Sequence, residues 1–176
     1  MKRKRRDFLK LTGLTGIGLT NLSMIPGYDL EFDDKSNNNR DHTQHFNMSG
    51  YAAPKLETVR IGYVGLGNRG QGAVSRIRFI EGIEIKALCD KRMERVDETK
   101  KILAEFHFPP AKVYGGSDDN WKSLCEDPDI DLVYIATPRG LHAPIAIYAM
   151  EQGKHVATEM PAAITLDDAW QLVETS

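Results

Sequence analysis

The sequence is poor in cysteine, with only Cys89 and Cys125 among 176 residues. That excludes a disulfide-stapled scaffold. The 8 prolines and 15 glycines show neither a collagen period nor a low-complexity block. A surplus of one charge is also missing. The formal net charge is −2, and the basic residues bunch at the N-terminus, which leaves the remainder mildly acidic. A chain of that sign has no broad electrostatic footprint for nucleic acid. There is no internal repeat. The modestly apolar stretch from Leu11 to Ile25 is diluted by Gly and Thr, and it falls short of the ~20 residues that a bilayer-spanning helix needs. With 41% hydrophobic residues the chain is too apolar for wholesale disorder. Its length suits one domain of ~100–150 residues plus a tail.

The tail comes first. Residues 2–6 are Lys-Arg-Lys-Arg-Arg, and the weakly hydrophobic Gly/Thr-rich stretch follows them. A basic segment before an apolar one is the grammar of an export signal. Arg5-Arg6-Asp7-Phe8-Leu9-Lys10 resembles the twin-arginine motif at six consecutive positions. The competing reading, a solvated basic or nucleic-acid-binding arm, has no use for the Phe8-Leu9 pair or the apolar run. Residues 1–35 are therefore expected to be a twin-arginine signal with no clear cleavage site, and the protein to be exported to the periplasm or cell envelope of a bacterium. Contact with the membrane would then be transient. Residues 36–57 are polar and irregular and read as a flexible linker. His42 and His45 lie there at i, i+3, but a metal site needs further ligands and none are near. No metal is expected.

From residue 58 the pattern becomes regular. Strands are expected at Val59–Val64, Ile83–Cys89, Lys112–Tyr114, Asp131–Ala136 and His155–Thr158. Helices are expected at Gly70–Ile80, Arg92–Phe106, from a cap at Asp118 or Asp119 to Cys125, and Ala143–Gln152 with Gly153 as its stop. A last helix opens at Thr165, with Asp168 in the capping-box position. Strands separated by helices of this length make right-handed crossovers and a parallel sheet. The fold class is therefore α/β, a doubly wound Rossmann sheet over 58–176, and its ligand belongs at the carboxyl ends of the strands.

The first strand ends in Gly65-Leu66-Gly67-Asn68-Arg69-Gly70, and the second ends in Asp90. A G-x-G-x-x-G between strand and helix, with an acid ~20 residues on, is a dinucleotide fingerprint. Gly65 permits the turn, Gly67 lets a pyrophosphate approach the backbone, and Gly70 lets the helix pack closely. The N–H groups of the helix start would hold the phosphates. Asp90 would accept from the ribose hydroxyls and repel a 2′-phosphate, which favours NAD over NADP, although Lys91 and Arg92 blunt that preference. Cys89 and Cys125 read as small buried apolar residues.

The fourth strand ends in Thr137-Pro138-Arg139-Gly140-Leu141-His142 and the fifth in Glu159-Met160-Pro161. Together with the glycine loop, Cys89-Asp90, Asp127-Pro128-Asp129-Ile130-Asp131 and Gly153-Lys154-His155-Val156, these runs resemble the Gfo/Idh/MocA oxidoreductase superfamily over 58–176. Most dehydrogenases of that superfamily carry Glu-Lys-Pro at the fifth strand end, with the Lys as proton-transfer residue. Met160 stands in that place and transfers no proton. Glu159-Met160-Pro161-Ala162-Ala163, Asn68-Arg69 and Trp170-Gln171-Leu172-Val173 are similar to glycoside hydrolase family 109. That family usually shows Trp-x-x-His after Thr-Pro; here the His is present at His142 and the Trp position holds Arg139.

The resemblance implies an NAD-dependent glycosidase like α-N-acetylgalactosaminidase, working by oxidation at C3, elimination, water addition and re-reduction. It implies a cofactor set of Gly65, Gly67, Asn68, Arg69, Gly70, Asp90, Thr137, Pro138, Arg139, His142, Glu159 and Met160. The sugar or glycoside substrate and the catalytic groups would belong to a C-terminal α/β domain absent from these residues. The chain is therefore expected to be truncated, inactive alone, and exposed along the edge of its fifth strand. The alternatives are an NAD(P)-dependent sugar dehydrogenase of the same superfamily, or a non-catalytic NAD-binding or assembly module. A homo-oligomer is compatible with each.

Overall fold

The computed structural model describes residues 42–44 and 49–176. The expected export segment lies outside the described residues, as do 36–41 and 45–48 of the expected linker. Among the described residues no helix is long and apolar enough to cross a membrane.

Strand and helix alternate along the body. In order they are β1 (Val59–Val64), α1 (Asn68–Ile77), β2 (Ile83–Asp90), α2 (Met93–Glu105), β3 (Lys112–Gly115), α3 (Asn120–Cys125), β4 (Leu132–Ile135), α4 (His142–Glu151), β5 (His155–Thr158) and α5 (Leu166–Thr175). A 3₁₀ turn at Arg139–Leu141 leads into α4. The five strands form one parallel sheet in the order β3-β2-β1-β4-β5. The chain winds outward from β1 to β3 and then crosses to β4, so the topological switch lies between β1 and β4. This is the doubly wound Rossmann sheet the sequence predicts.

Side-chain alternation along the strands divides the core in two. Ile61 and Tyr63 of β1 pack with Ala73 and Val74 of α1 and Val96 and Leu103 of α2. Val64, on the opposite parity, packs with Val133, Ile135, Leu124, Ile145 and Ala149 beneath α3 and α4. Gly62 leaves room on that face, since a Cβ there would stand 2.8 Å from Leu124 and 2.9 Å from Ile130. β2 departs from strict alternation. Ile61 pairs with Ile85 but Gly62 pairs with Ala87, so Lys86 is the unmatched residue of a β-bulge. Its ammonium reaches Glu84 at 2.7 Å, which keeps a charge out of a sheet covered on both faces.

Helix ends differ in detail from the sequence expectation. α1 starts at Asn68, with Gly67 as its N-cap, and stops at Ile77. Phe79 and Ile80 leave through turn bonds to the carbonyls of Arg76 and Ile77. Asp119 occupies the N-cap of α3 without a side-chain cap bond; its carboxylate pairs with Lys122 at 3.0 Å instead. Gly153 closes α4 at φ +73. α5 carries the full capping box. Thr165 Oγ1 accepts from the Asp168 N–H at 3.0 Å, and the Asp168 carboxylate accepts from the Thr165 N–H at 3.2 Å. The described part of the linker touches this helix: the His42 ring stacks on Trp170 at 4.9 Å and its Nδ1 lies 3.0 Å from Glu174.

Candidate cofactor site

The carboxyl ends of β1, β2 and β4 meet at the topological switch. The chain leaves β1 at Gly65, whose φ is +90. A Cβ there would stand 2.6 Å from the Ala136 carbonyl carbon and 2.7 Å from the Thr137 nitrogen, so the turn presses directly on the end of β4. Gly70 is forced in the same way, because its Cβ would lie 1.9 Å from the Gly65 oxygen. Gly67 is different. Its φ of −73 suits any residue, and a Cβ would meet nothing closer than Arg95 Nη1 at 3.4 Å.

Asp90 is the hub of this corner. It is only 6% exposed. Its Oδ2 accepts from the Leu66 N–H at 2.8 Å, and its Oδ1 accepts from the Arg92 N–H at 2.9 Å. Arg95 Nη1 lies 3.5 Å from Oδ2. The carboxylate thus ties the glycine turn to the start of α2. An ionised carboxylate offers about four acceptor positions, so these contacts leave capacity on it.

A cleft of about 360 Å³ opens beside Asp90. Gly65 and Val64 of the first turn line it, with Cys89, Asp90, Lys91, Arg92 and Arg95 after β2, Ser117, Asp118 and Trp121 after β3, and Ala136, Thr137, Pro138, Leu141 and Ile145 after β4. Lys91 and Asp118 pair across its rim at 3.2 Å. Burial pushes the Cys89 thiol up to about 12, which makes it an inert apolar wall at neutral pH. Cys125 is buried as well and pushed up to about 12 for the same reason.

Of the other predicted residues Thr137 and Pro138 line the cleft, whereas Gly67, Asn68, Arg69, Gly70, Arg139, His142, Glu159 and Met160 are not part of its lining. Asn68 and Arg69 are exposed on the first turn of α1. Arg139 is exposed on the 3₁₀ turn. His142 is only 3% exposed, and both ring nitrogens face carbonyl oxygens at 2.8 Å: Nδ1 faces that of Pro161 and Nε2 that of Thr137. It bridges the loops that follow β4 and β5. Glu159, at the end of β5, accepts a hydrogen bond from Tyr134 Oη at 2.9 Å. Met160 beside it is 90% exposed. Sequence reasoning missed Arg95, Trp121 and Tyr134. Tyr134 had a signal, since it shares the face of Tyr63 in alternating strands. Trp121 had only its place in the first turn of the helix after β3.

The site fits a dinucleotide by three observations. The start of α1 has no side-chain cap, because Gly67 has no side chain to offer, and first-turn N–H groups without a cap need an outside acceptor. Among the described residues no packing requires the open face of Gly67. Thr137 Oγ1, at the cleft wall, is buried without a hydrogen-bond partner among the described residues. A five-stranded Rossmann sheet with a glycine turn, an uncapped helix and a strand-end carboxylate is a dinucleotide-binding domain.

Comparison with known proteins agrees. The model of the oxidoreductase family, NAD-binding Rossmann fold (Gfo/Idh/MocA), matches residues 59–176. The chain belongs to the Gfo/Idh/MocA oxidoreductase family, and its cofactor is NAD. It is 57% identical over 127 residues to a glycosyl hydrolase family 109 protein of Bacteroides fragilis, covering 72% of this chain and 27% of that relative. It is 39% identical over 176 residues to a glycosyl hydrolase family 109 protein of Shewanella pealeana, covering 100% of this chain and 37% of that one. The chain thus spans about a quarter to somewhat over a third of those relatives. Among solved structures it resembles myo-inositol dehydrogenase from Lactobacillus casei in complex with NAD(H) and myo-inositol. That likeness has TM-score 0.58 and 31% identity, and covers 67% of this chain and 33% of that one. It also resembles levoglucosan dehydrogenase in complex with NADH, at TM-score 0.52 and 28% identity, covering 67% and 32%.

Proposed function

We propose that this chain is the cofactor cradle of an exported, NAD-dependent glycosidase. The first-turn N–H groups of α1, above the open face of Gly67, meet the pyrophosphate, and Arg69 flanks it. Asp90 accepts from the adenosine ribose hydroxyls with the acceptor capacity that Leu66 and Arg92 leave it. Thr137, Pro138 and Arg139 border the nicotinamide half, His142 holds the loop that carries them, and Glu159, oriented by Tyr134, faces that half from β5. When bound, nicotinamide supplies reversible hydride transfer.

The observation that carries the glycosidase reading is Met160. In the dehydrogenase pattern Glu-Lys-Pro, this strand end delivers a proton-transfer group beside the cofactor. Here it presents a solvent-open thioether, 90% exposed, that neither accepts nor donates a proton at any useful pH. Proton transfer at the sugar must come from residues other than this strand end. The family 109 relatives support the same reading by name. We extend it to a sugar or glycoside substrate of the α-N-acetylgalactosaminide type, with turnover requiring sequence that the relatives carry beyond the matched stretch. Export rests on Arg5-Arg6-Asp7-Phe8-Leu9-Lys10. Changing Arg5 and Arg6 to Lys should retain the protein in the cytoplasm.

A second reading, an NAD-dependent sugar dehydrogenase, is favoured by the neighbours solved with myo-inositol and levoglucosan. Product analysis of the whole protein separates the two. A glycosidase that recycles its cofactor releases free sugar from an aryl glycoside with no net NADH; a dehydrogenase accumulates NADH with a free polyol or sugar. Net NADH without glycoside cleavage overturns the first reading. The cofactor placement beneath both is tested by calorimetry. NAD+ should bind this chain, and Asp90→Ala should weaken it at least tenfold.

A further inference from the structure

We propose that Trp121 is the base-reading wall of the cofactor cleft: the adenine ring packs against its indole. This deepens the cofactor placement proposed above and rests on it. With the phosphates at the start of α1 and the ribose at Asp90, the base must lie on the far side of the ribose from the phosphates. The cleft that Asp90 lines has apolar side chains in its wall as well as charged ones. Pro138, Leu141 and Ile145 border it from the β4 side, and Trp121 borders it from α3. Leu141 stays exposed at the mouth. A flat, weakly polar ring fits this space better than a second charged group would.

Trp121 is held for the task. Tyr148 of α4 meets its ring edge-on, with centroids 5.3 Å apart at 89°. Tyr148 is fixed in turn by a hydrogen bond from its hydroxyl to Glu126. An indole fixed before the ligand arrives loses little freedom on binding. Aromatic rings are effective platforms for bases because every base has a π-face. The indole thus supplies packing energy, while Asp90 and the helix start supply orientation. Neither the glycine fingerprint nor the strand-end motifs include this residue.

The test uses the fact that the chain has 2 tryptophans, Trp121 and Trp170. Trp170 stacks on His42, outside the cleft, so Trp170→Phe leaves Trp121 as the single indole reporter. In that variant ADP and NAD+ should change the indole emission, and nicotinamide mononucleotide at equal concentration should not. Excitation at the red edge of the indole band avoids absorption by adenine. In the parent background, Trp121→Leu should weaken NAD+ about tenfold by calorimetry, in line with base–aromatic stacking. Trp121→Phe should stay within about threefold of the parent, because it keeps an aromatic face. A merely structural tryptophan would lower the urea midpoint in both variants and show no dependence on the base. NAD+ that binds by calorimetry without changing Trp121 emission overturns this proposal alone, as does an equal response to nicotinamide mononucleotide. Absence of NAD+ binding in the parent overturns the cofactor placement and this proposal with it.

Discussion

Gly65, Gly67 and Gly70 look equivalent in a motif, but a methyl group added at each meets different surroundings. At Gly70 it would stand 1.9 Å from a backbone oxygen, and at Gly65 2.6 Å from a backbone carbon at positive φ. The first clash can be relieved only by moving α1 off the turn after β1, and the second only by moving that turn off the end of β4. At Gly67 it would meet only the mobile end of Arg95 at 3.4 Å. Gly70→Ala should therefore fail to fold, or lose several degrees of Tm, whether or not NAD+ is present. Gly67→Ala should keep its urea midpoint, with a loss of under about 1 kcal/mol at an N-cap, yet bind NAD+ at least tenfold more weakly. Chemical denaturation and calorimetry on the two variants check this. If Gly67→Ala bound NAD+ like the parent, the phosphates would not approach that face. Spacing made all three glycines legible. It did not reveal that packing forces two of them and leaves the third open, because at Gly65 and Gly67 that distinction depends on Ala136 and Arg95, which lie far away in sequence.

The elements themselves were readable from period and punctuation. Five strands, their helices, the Gly153 stop and the Thr165–Asp168 capping box all follow from local chemistry, and the sheet class follows from the alternation. Three features were not readable. The bulge at Lys86 depends on register against β1, which no single strand encodes. The contact of His42 with Trp170 and Glu174 joins residues more than a hundred positions apart. The linkage of loops by His142 needs the carbonyls of Thr137 and Pro161 on either side of it. That linkage carries a prediction. His142→Ala would take the ring N–H away from the buried carbonyl it donates to, that of Thr137 or that of Pro161, and an unmet buried polar group costs ~1–3 kcal/mol. The variant should unfold at lower urea, and NAD+ affinity should fall with it as the loops after β4 and β5 lose their common anchor. Tyr134→Phe acts on one side chain only. It frees Glu159 without opening the loops, so the urea midpoint should change little while binding of nicotinamide mononucleotide weakens by a few-fold. Unchanged binding of nicotinamide mononucleotide in Tyr134→Phe would mean that Glu159 needs no orienting partner.

On the scale of the whole molecule, binding chemistry and ionic stabilisation occupy opposite ends of the sheet. The cleft sits at the carboxyl ends of the strands, while an ion-pair network lies around the starts of β1, β3, β4 and β5. Arg60 meets Asp131 at 2.7 Å and Asp129 at 3.5 Å. Asp127 is buried and accepts from Tyr114 Oη at 2.6 Å and from Lys112 Nζ at 2.9 Å. Lys154 donates to the carbonyls of Asp127 and Ile130 at 2.7 and 2.9 Å. The Tyr114 hydrogen bond, helped by the Asp129 N–H and Lys112, holds the Asp127 carboxyl down to about 2, against the opposing effect of burial. The Arg60 guanidinium likewise holds Asp131 below the usual carboxylate range. A carboxyl depressed in the folded state binds fewer protons there than in the unfolded chain, so stability rises with pH across that interval. For Asp127 the contribution is complete above its ordinary value of 3.8 and is lost as pH falls toward about 2. The free energy of unfolding should therefore decline between those limits when followed by urea titration at stepped pH. Asp127→Asn should be the less stable protein at neutral pH, and its curve should converge on that of the parent as acid protonates the native carboxyl. Parallel curves down to the acid limit would mean that Asp127 stabilises the fold by shape and neutral hydrogen bonding rather than by charge.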